Sequence, residues 1–186
     1  MNRYSLIVLH NAGNIRTMYD YATGEYLRHN GSQSSKSGYS WFLIQPFAIY
    51  GFEILGERLM AYPISDRRII GIFAFLTGVI ISTVLWELLL KYYGDKTGRE
   101  SGRIDEPPQS VLREWTGYFP GRIKKVYRIT GVLAVITAGL VAVFLKTGVA
   151  AALTIALCFY CIMYFILSSV RPDLLKRYMK ERLTNG

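Results

Sequence analysis

Two cysteines three residues apart, Cys158 and Cys161, are the only cysteines in the chain. On a helix that spacing suits thiol–disulfide exchange or two of the four ligands of a zinc ion. Neither a second cysteine pair nor a histidine within the same apolar run completes a metal set. The plainer reading is two small apolar side chains in a packed helix. His10 and His29 are the only histidines. Both fall in the N-terminal segment, without a Ser or Cys nucleophile in a triad arrangement, and read as surface side chains. Glu87 is the only acid inside the strongest apolar runs, with Lys91 four residues later, the spacing of a helical ion pair near an interface. A proton or ion relay needs a partner acid or base deep in another run, and residues 129–145 and 149–170 contain none. HExxH, P-loop and dinucleotide-binding patterns are missing. These residues point away from an enzyme, a metal, a cofactor and a small-molecule substrate.

The elements that must carry them are dominated by long apolar runs. The chain has 186 residues, 51% of them hydrophobic, and a mean hydropathy of +0.21. The apolar residues are concentrated rather than scattered at helix or strand periods, which is the pattern of a membrane protein. Residues 69–90, "IIGIFAFLTGVIISTVLWELLL", form the clearest span, about 33 Å of helix. Residues 129–145 and 149–170 form a helical hairpin around the turn "KTG". Residues 40–59 are aromatic and apolar but short, interrupted by Pro46 and Glu53, and read either as a first span or as a segment that dips in and returns.

Before these runs, residues 1–38 read as a β-rich meander. "YSLIVLH", "IRTMYDY" and "YLRH" are strands, separated by the turns "NAGN" and "ATGE". So short a meander must lean on the membrane surface, on the rest of the chain or on a partner. Residues 91–128 read as a polar loop, with an amphipathic helix in "QSVLREWTGYF" whose Val111, Leu112, Trp115 and Phe119 dip into the membrane interface. The tail 171–186 is basic and helical beyond Pro172. The expected fold is therefore mainly α: a polytopic helical membrane domain over 39–186, with four spans or three, and a small N-terminal β-meander.

Charge weighs the two topologies. The net charge is +9. With four spans, eighteen Lys and Arg residues fall on the side of the N-terminus, the loop and the tail, against four on the other. With three spans the split is fourteen against eight. The steeper asymmetry favours four spans with both termini cytoplasmic. The basic residues flank apolar runs, so topology explains them without nucleic acid. One cluster, Arg122, Lys124, Lys125 and Arg128, is placed to fix orientation or to attract anionic membrane lipid. Small residues recur at helix-contact spacing: Gly131, Ala134, Ala138, Gly139 and Ala142 on one arm of the hairpin, Gly148, Ala152 and Ala156 on the other. Such ridges let backbones approach closely, either arm against arm or against another protein's helix.

The first third has a distinctive order. "TMYDYATGEYL" is followed by "WFLIQPFAIYGF" and then by "LMAYPIS" before the strongest span. This order resembles the tandem five-transmembrane proteins of Gram-positive bacteria, in which a Y-x-x-D-x-x-x-x-x-Y/W strand pair precedes a Phe/Pro/Trp-rich segment and a Y-x-I-S strand. The matching residues are Asp20, Trp41, Phe42, Pro46, Phe47, Tyr62, Ile64 and Ser65, within about residues 15–66. The present chain shows three or four spans where that family has five. Members are associated with type VII secretion loci, and some act as immunity proteins against membrane-damaging toxins. The resemblance implies a non-enzymatic protein of a bacterial cell membrane that binds a membrane-targeting toxin within the bilayer. It also implies that residues 41–59 return to the side they entered from. An accessory subunit of a transporter or secretion complex is the alternative function.

Overall fold

The computed structural model describes residues 6–30, 57–58, 61 and 63–183. Of the expected span over 40–59 only residues 57–58 are described; Trp41, Pro46 and nearby Tyr62 lie outside the described residues. In chain order the elements are β1 (Leu6–Ala12), β2 (Ile15–Asp20), β3 (Glu25–Asn30), α1 (Ile64–Glu100), β4 (Gly102–Ile104), α2 (Gln109–Gly117), α3 (Phe119–Thr147), α4 (Ala150–Val170) and α5 (Pro172–Leu183). The protein is mainly helical, with a small antiparallel sheet of strand order β1-β2-β3-β4. Among the described residues three helical segments are long and apolar enough to cross a membrane: Asp66–Tyr92, Gln109–Thr147 and Ala150–Glu181.

The chain divides into two compact units. The first comprises 1–34, 86–128 and 166–186, the second 35–85 and 129–165.

In the first unit, the β1–β2 hairpin closes through Gly13 and Asn14, with Ala12 opposite Ile15. Gly13 takes φ 59°, the positive value that the first central residue of a type II′ hairpin turn requires. At the next turn Asp20 anchors the chain twice. Its carbonyl accepts from Gly24 N at 2.7 Å, and its Oδ1 accepts from Ala22 N at 2.9 Å, an Asx-type turn. The register of β1 shifts between Val8 and His10. Leu9 is the extra residue of this bulge, and His10 consequently pairs with Thr17, on the same face as Tyr19.

One face of the sheet meets helices. Ile7, Leu9, Tyr19 and Tyr26 form a core with Leu112 of α2, Phe119 and Ile123 of α3, and Leu175 and Tyr178 of α5. The other face carries a smaller cluster of Leu6, Met18 and Leu27.

The segment 91–128, read from sequence as a polar loop, is largely ordered secondary structure. Helix α1 runs on to Glu100, because a helix already nucleated in the apolar run propagates cheaply through Lys, Arg and Glu. Then β4 adds to the sheet edge, with Tyr26 opposite Ile104 and Glu25 paired to Arg103 at 3.0 Å. The apolar side chains of 109–119, expected at a membrane interface, pack otherwise. Leu112 and Phe119 fill the core under the sheet rather than a lipid interface, and Trp115 stacks on His10 at 4.9 Å. Helix α5 begins at Pro172, whose missing N–H costs nothing at the first helical position. The preceding Arg171 takes φ 51° and separates it from α4.

In the second unit, the α3–α4 turn is made by Gly148. Its φ of 72° and its N–H bonded to Phe144 O at 2.7 Å cap α3. Phe144, Ala152 and Leu153 are buried together, with Ile72, Phe75 and Val141 around them. Gly71 of α1 sits against Phe144 and Leu153, so three helices converge where one of them lacks a side chain. Arg68 Nη2 donates to Lys146 O at 3.2 Å, and Thr83 Oγ1 and Tyr160 OH share a hydrogen bond of 2.8 Å.

Candidate functional site

The two cysteines belong to the second unit and the two histidines to the first. Cys158 and Cys161 are free thiols, half-buried on α4. His10 is half-buried in its stack with Trp115, and His29 is 5% exposed. Both therefore depart from the surface placement expected of them. His10 is turned toward the helices by the bulge at Leu9, and His29 lies on the face that also buries Leu27. Among the described residues no three His, Cys, Asp or Glu side chains come together as a metal-binding group.

The small-residue ridges fare differently on the two arms. On α4, Ala152 and Ala156 are 6% and 0% exposed, and Gly148 is buried at the turn against the aliphatic part of Arg67. On α3, Gly131, Ala134, Ala138, Gly139 and Ala142 are all exposed. A Cβ added at Gly131 or Gly139 would meet nothing within 4 Å. At 100° per residue these positions share one face of α3, turned away from the buried Phe144 and the half-buried Thr137. Arm-against-arm packing thus uses the α4 ridge and leaves the α3 ridge uncovered by the described residues. Val132 and Val135, exposed at 55% and 74%, line the same helix.

The basic cluster is exposed at all four positions, Arg122, Lys124, Lys125 and Arg128. Arg122 differs from the other three, because its Nη1 donates to Val8 O at 3.4 Å and ties α3 to β1. Of the residues quoted for the family resemblance, Asp20 is fully buried at the β2–β3 turn, and Ile64 and Ser65 open α1 as helix rather than strand.

One feature of the first unit had no signal in the sequence: its aromatic centre. Tyr19 lies 5.1 Å, ring centre to ring centre, from each of Tyr21, Tyr26 and Tyr178. Tyr26 OH and Tyr178 OH are hydrogen-bonded at 3.0 Å, and Tyr26 OH also donates to Glu106 at 3.4 Å. Tyr21 OH donates to Leu174 O at 3.3 Å. The centre joins the N-terminal strands to the C-terminal helix across more than 150 residues, and every hydroxyl in those bonds has a partner. It reads as structural.

The fold and the three apolar helices define the class: a polytopic helical membrane protein with a small sheet-based module. Comparison with family models, with curated proteins and with solved structures finds no match for this chain.

Proposed function

We propose that the protein is a non-enzymatic, multi-pass protein of a bacterial cell membrane that protects the bilayer by binding the inserted helix of a membrane-targeting toxin. The observation that carries this reading is the uncovered ridge on α3. Lipid tails are as apolar as Leu or Val, so apolarity alone does not draw helices together in a bilayer. Small residues do, by letting a second backbone come close. Gly131, Ala138 and Ala142 offer that approach inside an apolar run, on a surface the described chain does not use. The likeness of the first third to immunity-type membrane proteins supports the role of the bound helix.

Both ends of the chain are proposed to be cytoplasmic. The strands β1–β3, the segment 102–123 and α5 share one core, which supports a single face for all three. The positive charge on these segments supports the inner face.

The test is a membrane-potential measurement in cells challenged with a secreted depolarising toxin. Cells carrying the full chain hold their potential, and cells carrying the Gly139→Ile/Ala138→Ile double variant at equal abundance lose it. Depolarisation at the vector rate with the wild-type chain refutes protection. A stoichiometric partner retained in mild detergent from unchallenged cells supports the accessory-subunit alternative instead.

A further inference from the structure

The basic residues expected on α3 do not stand alone. Lys176 of α5 places Nζ over the ring of Tyr127, 4.6 Å from its centre. This contact brings a second helix of the first unit beside the exposed Lys124 and Arg128, which flank Tyr127 on the same side of α3. Lys180, one turn beyond Lys176, continues the row and is also exposed. Residues 119–131 contain no acid. On α5 the acids are Asp173, in the first turn, and Glu181, whose carboxylate is bound to Arg177 at 2.7 Å. The result is a surface with four cations, Lys124, Arg128, Lys176 and Lys180, drawn from two helices and centred on an aromatic ring.

Its place in the chain identifies the occupant. Arg128 is followed directly by Ile129, the first residue of an apolar run within a helix long and apolar enough to cross a bilayer. Tyr127 and Tyr118 are exposed at 45% and 71%, as aromatic side chains at a headgroup layer are. A phosphate group at that depth is a lipid headgroup.

We infer that Lys124, Arg128, Lys176 and Lys180, held together by the Lys176–Tyr127 contact, form a binding site for the phosphodiester headgroup of an anionic phospholipid. The ammonium and guanidinium groups supply charge and donors to the phosphate oxygens, with Arg128 able to engage two of them at once. Tyr127 fixes Lys176, which otherwise loses side-chain freedom on binding. Unlike the sequence-derived cluster, the site includes two residues of the C-terminal helix and excludes Arg122, which is committed to Val8.

The test uses the full chain in mild detergent, titrated with phosphatidylglycerol or phosphatidylcholine, with lipid retention read by native mass spectrometry. Wild type retains the anionic lipid preferentially. A basic residue near a charged bilayer surface is worth roughly a fivefold change in affinity. The Lys124→Gln/Lys176→Gln variant therefore binds phosphatidylglycerol roughly 25-fold more weakly, by the same rule. The Arg16→Gln/Arg113→Gln variant, which removes equal charge from exposed positions elsewhere, matches wild type. Tyr127→Leu weakens retention without changing charge. Equal retention by the Lys124/Lys176 variant and wild type overturns the site, as does an equal loss in the Arg16/Arg113 variant. Displacement of the lipid by millimolar inorganic phosphate, or preferential retention of added oligonucleotide, also overturns it, by assigning the surface to a soluble anion or to nucleic acid.

Discussion

Gly71→Ala puts one methyl group where three helices of the second unit meet. The new Cβ would overlap Phe144 Cζ, and would lie 2.8 Å from Phe144 Cε1 and 3.2 Å from Leu153 Cδ1. Phe144 is 0% exposed and Leu153 2%, so neither side chain has free space to retire into. Overpacking of this kind costs about 1–3 kcal/mol. Alanine returns about 0.5–1 kcal/mol of helix stability relative to glycine. Taking the middle of each range, the net loss is about 1 kcal/mol. Phe144→Leu alone leaves a void and is also destabilising. The two changes together relieve each other, so the double variant is more stable than the sum of the singles by about 1 kcal/mol. The assay is thermal unfolding of the full chain in detergent, followed by a thiol-reactive dye that reports exposure of the half-buried Cys158 and Cys161. For a chain of this size the Gly71→Ala loss lowers the midpoint by about 2–4 °C. A midpoint unchanged or raised by Gly71→Ala, or strict additivity in the double variant, refutes the close approach of the three helices.

In the first unit, Tyr178→Ala empties the centre of the core and costs about 3–5 kcal/mol, measured as a lower denaturant midpoint. Tyr178→Phe removes one bond of the Tyr26–Tyr178 pair and costs about 1 kcal/mol in the same assay, because Tyr26 keeps Glu106 as acceptor. Gly148→Ala forces a side chain into left-handed backbone at the α3–α4 turn and costs about 1–2 kcal/mol by thermal unfolding, with Gly148→Asn milder. Gly139→Ile, on the uncovered ridge, changes unfolding by less than about 0.5 kcal/mol while abolishing protection. Single cysteines at Asn11, Ser110 and Lys180, in a background lacking the two native thiols, label from the same face of the membrane, and one at Thr147 labels from the other.

Much of the architecture was legible because two signals are strong. Unbroken apolar runs mark α1, α3 and α4, and short strands separated by Asn and Gly mark the N-terminal hairpins. Strand β4 was not legible. Three residues in a charged stretch have no period, and only pairing with β3 makes them a strand. Helix α2 was legible as amphipathic, but its partner was not. Leu112, Trp115 and Phe119 are equally suited to a lipid interface and to the underside of a sheet, and periodicity does not distinguish them. The placement of His10 depends on one extra residue in β1, which reverses the face of everything beyond it. Small residues were visible on both arms of the hairpin. Which ridge is covered depends on Phe144 and Leu153 meeting Gly71, a contact between positions more than seventy residues apart.

The first unit is stitched from the beginning, middle and end of the chain, and this orders its biosynthesis. Strands β1–β3 leave the ribosome before the helices that cover them, and Tyr26 meets Tyr178 only 152 residues later. At translation rates of about 5–20 residues per second the apolar face of the meander waits roughly 8–30 s for its last covering helix. During that interval α1, α3 and α4 must enter the bilayer, since α5 follows them. Completion of the sheet module is thus a built-in proofreading step. A chain that stalls or inserts wrongly keeps Ile7, Tyr19 and Tyr26 open to proteases and chaperones. A nascent chain truncated before Pro172 is accordingly a short-lived one.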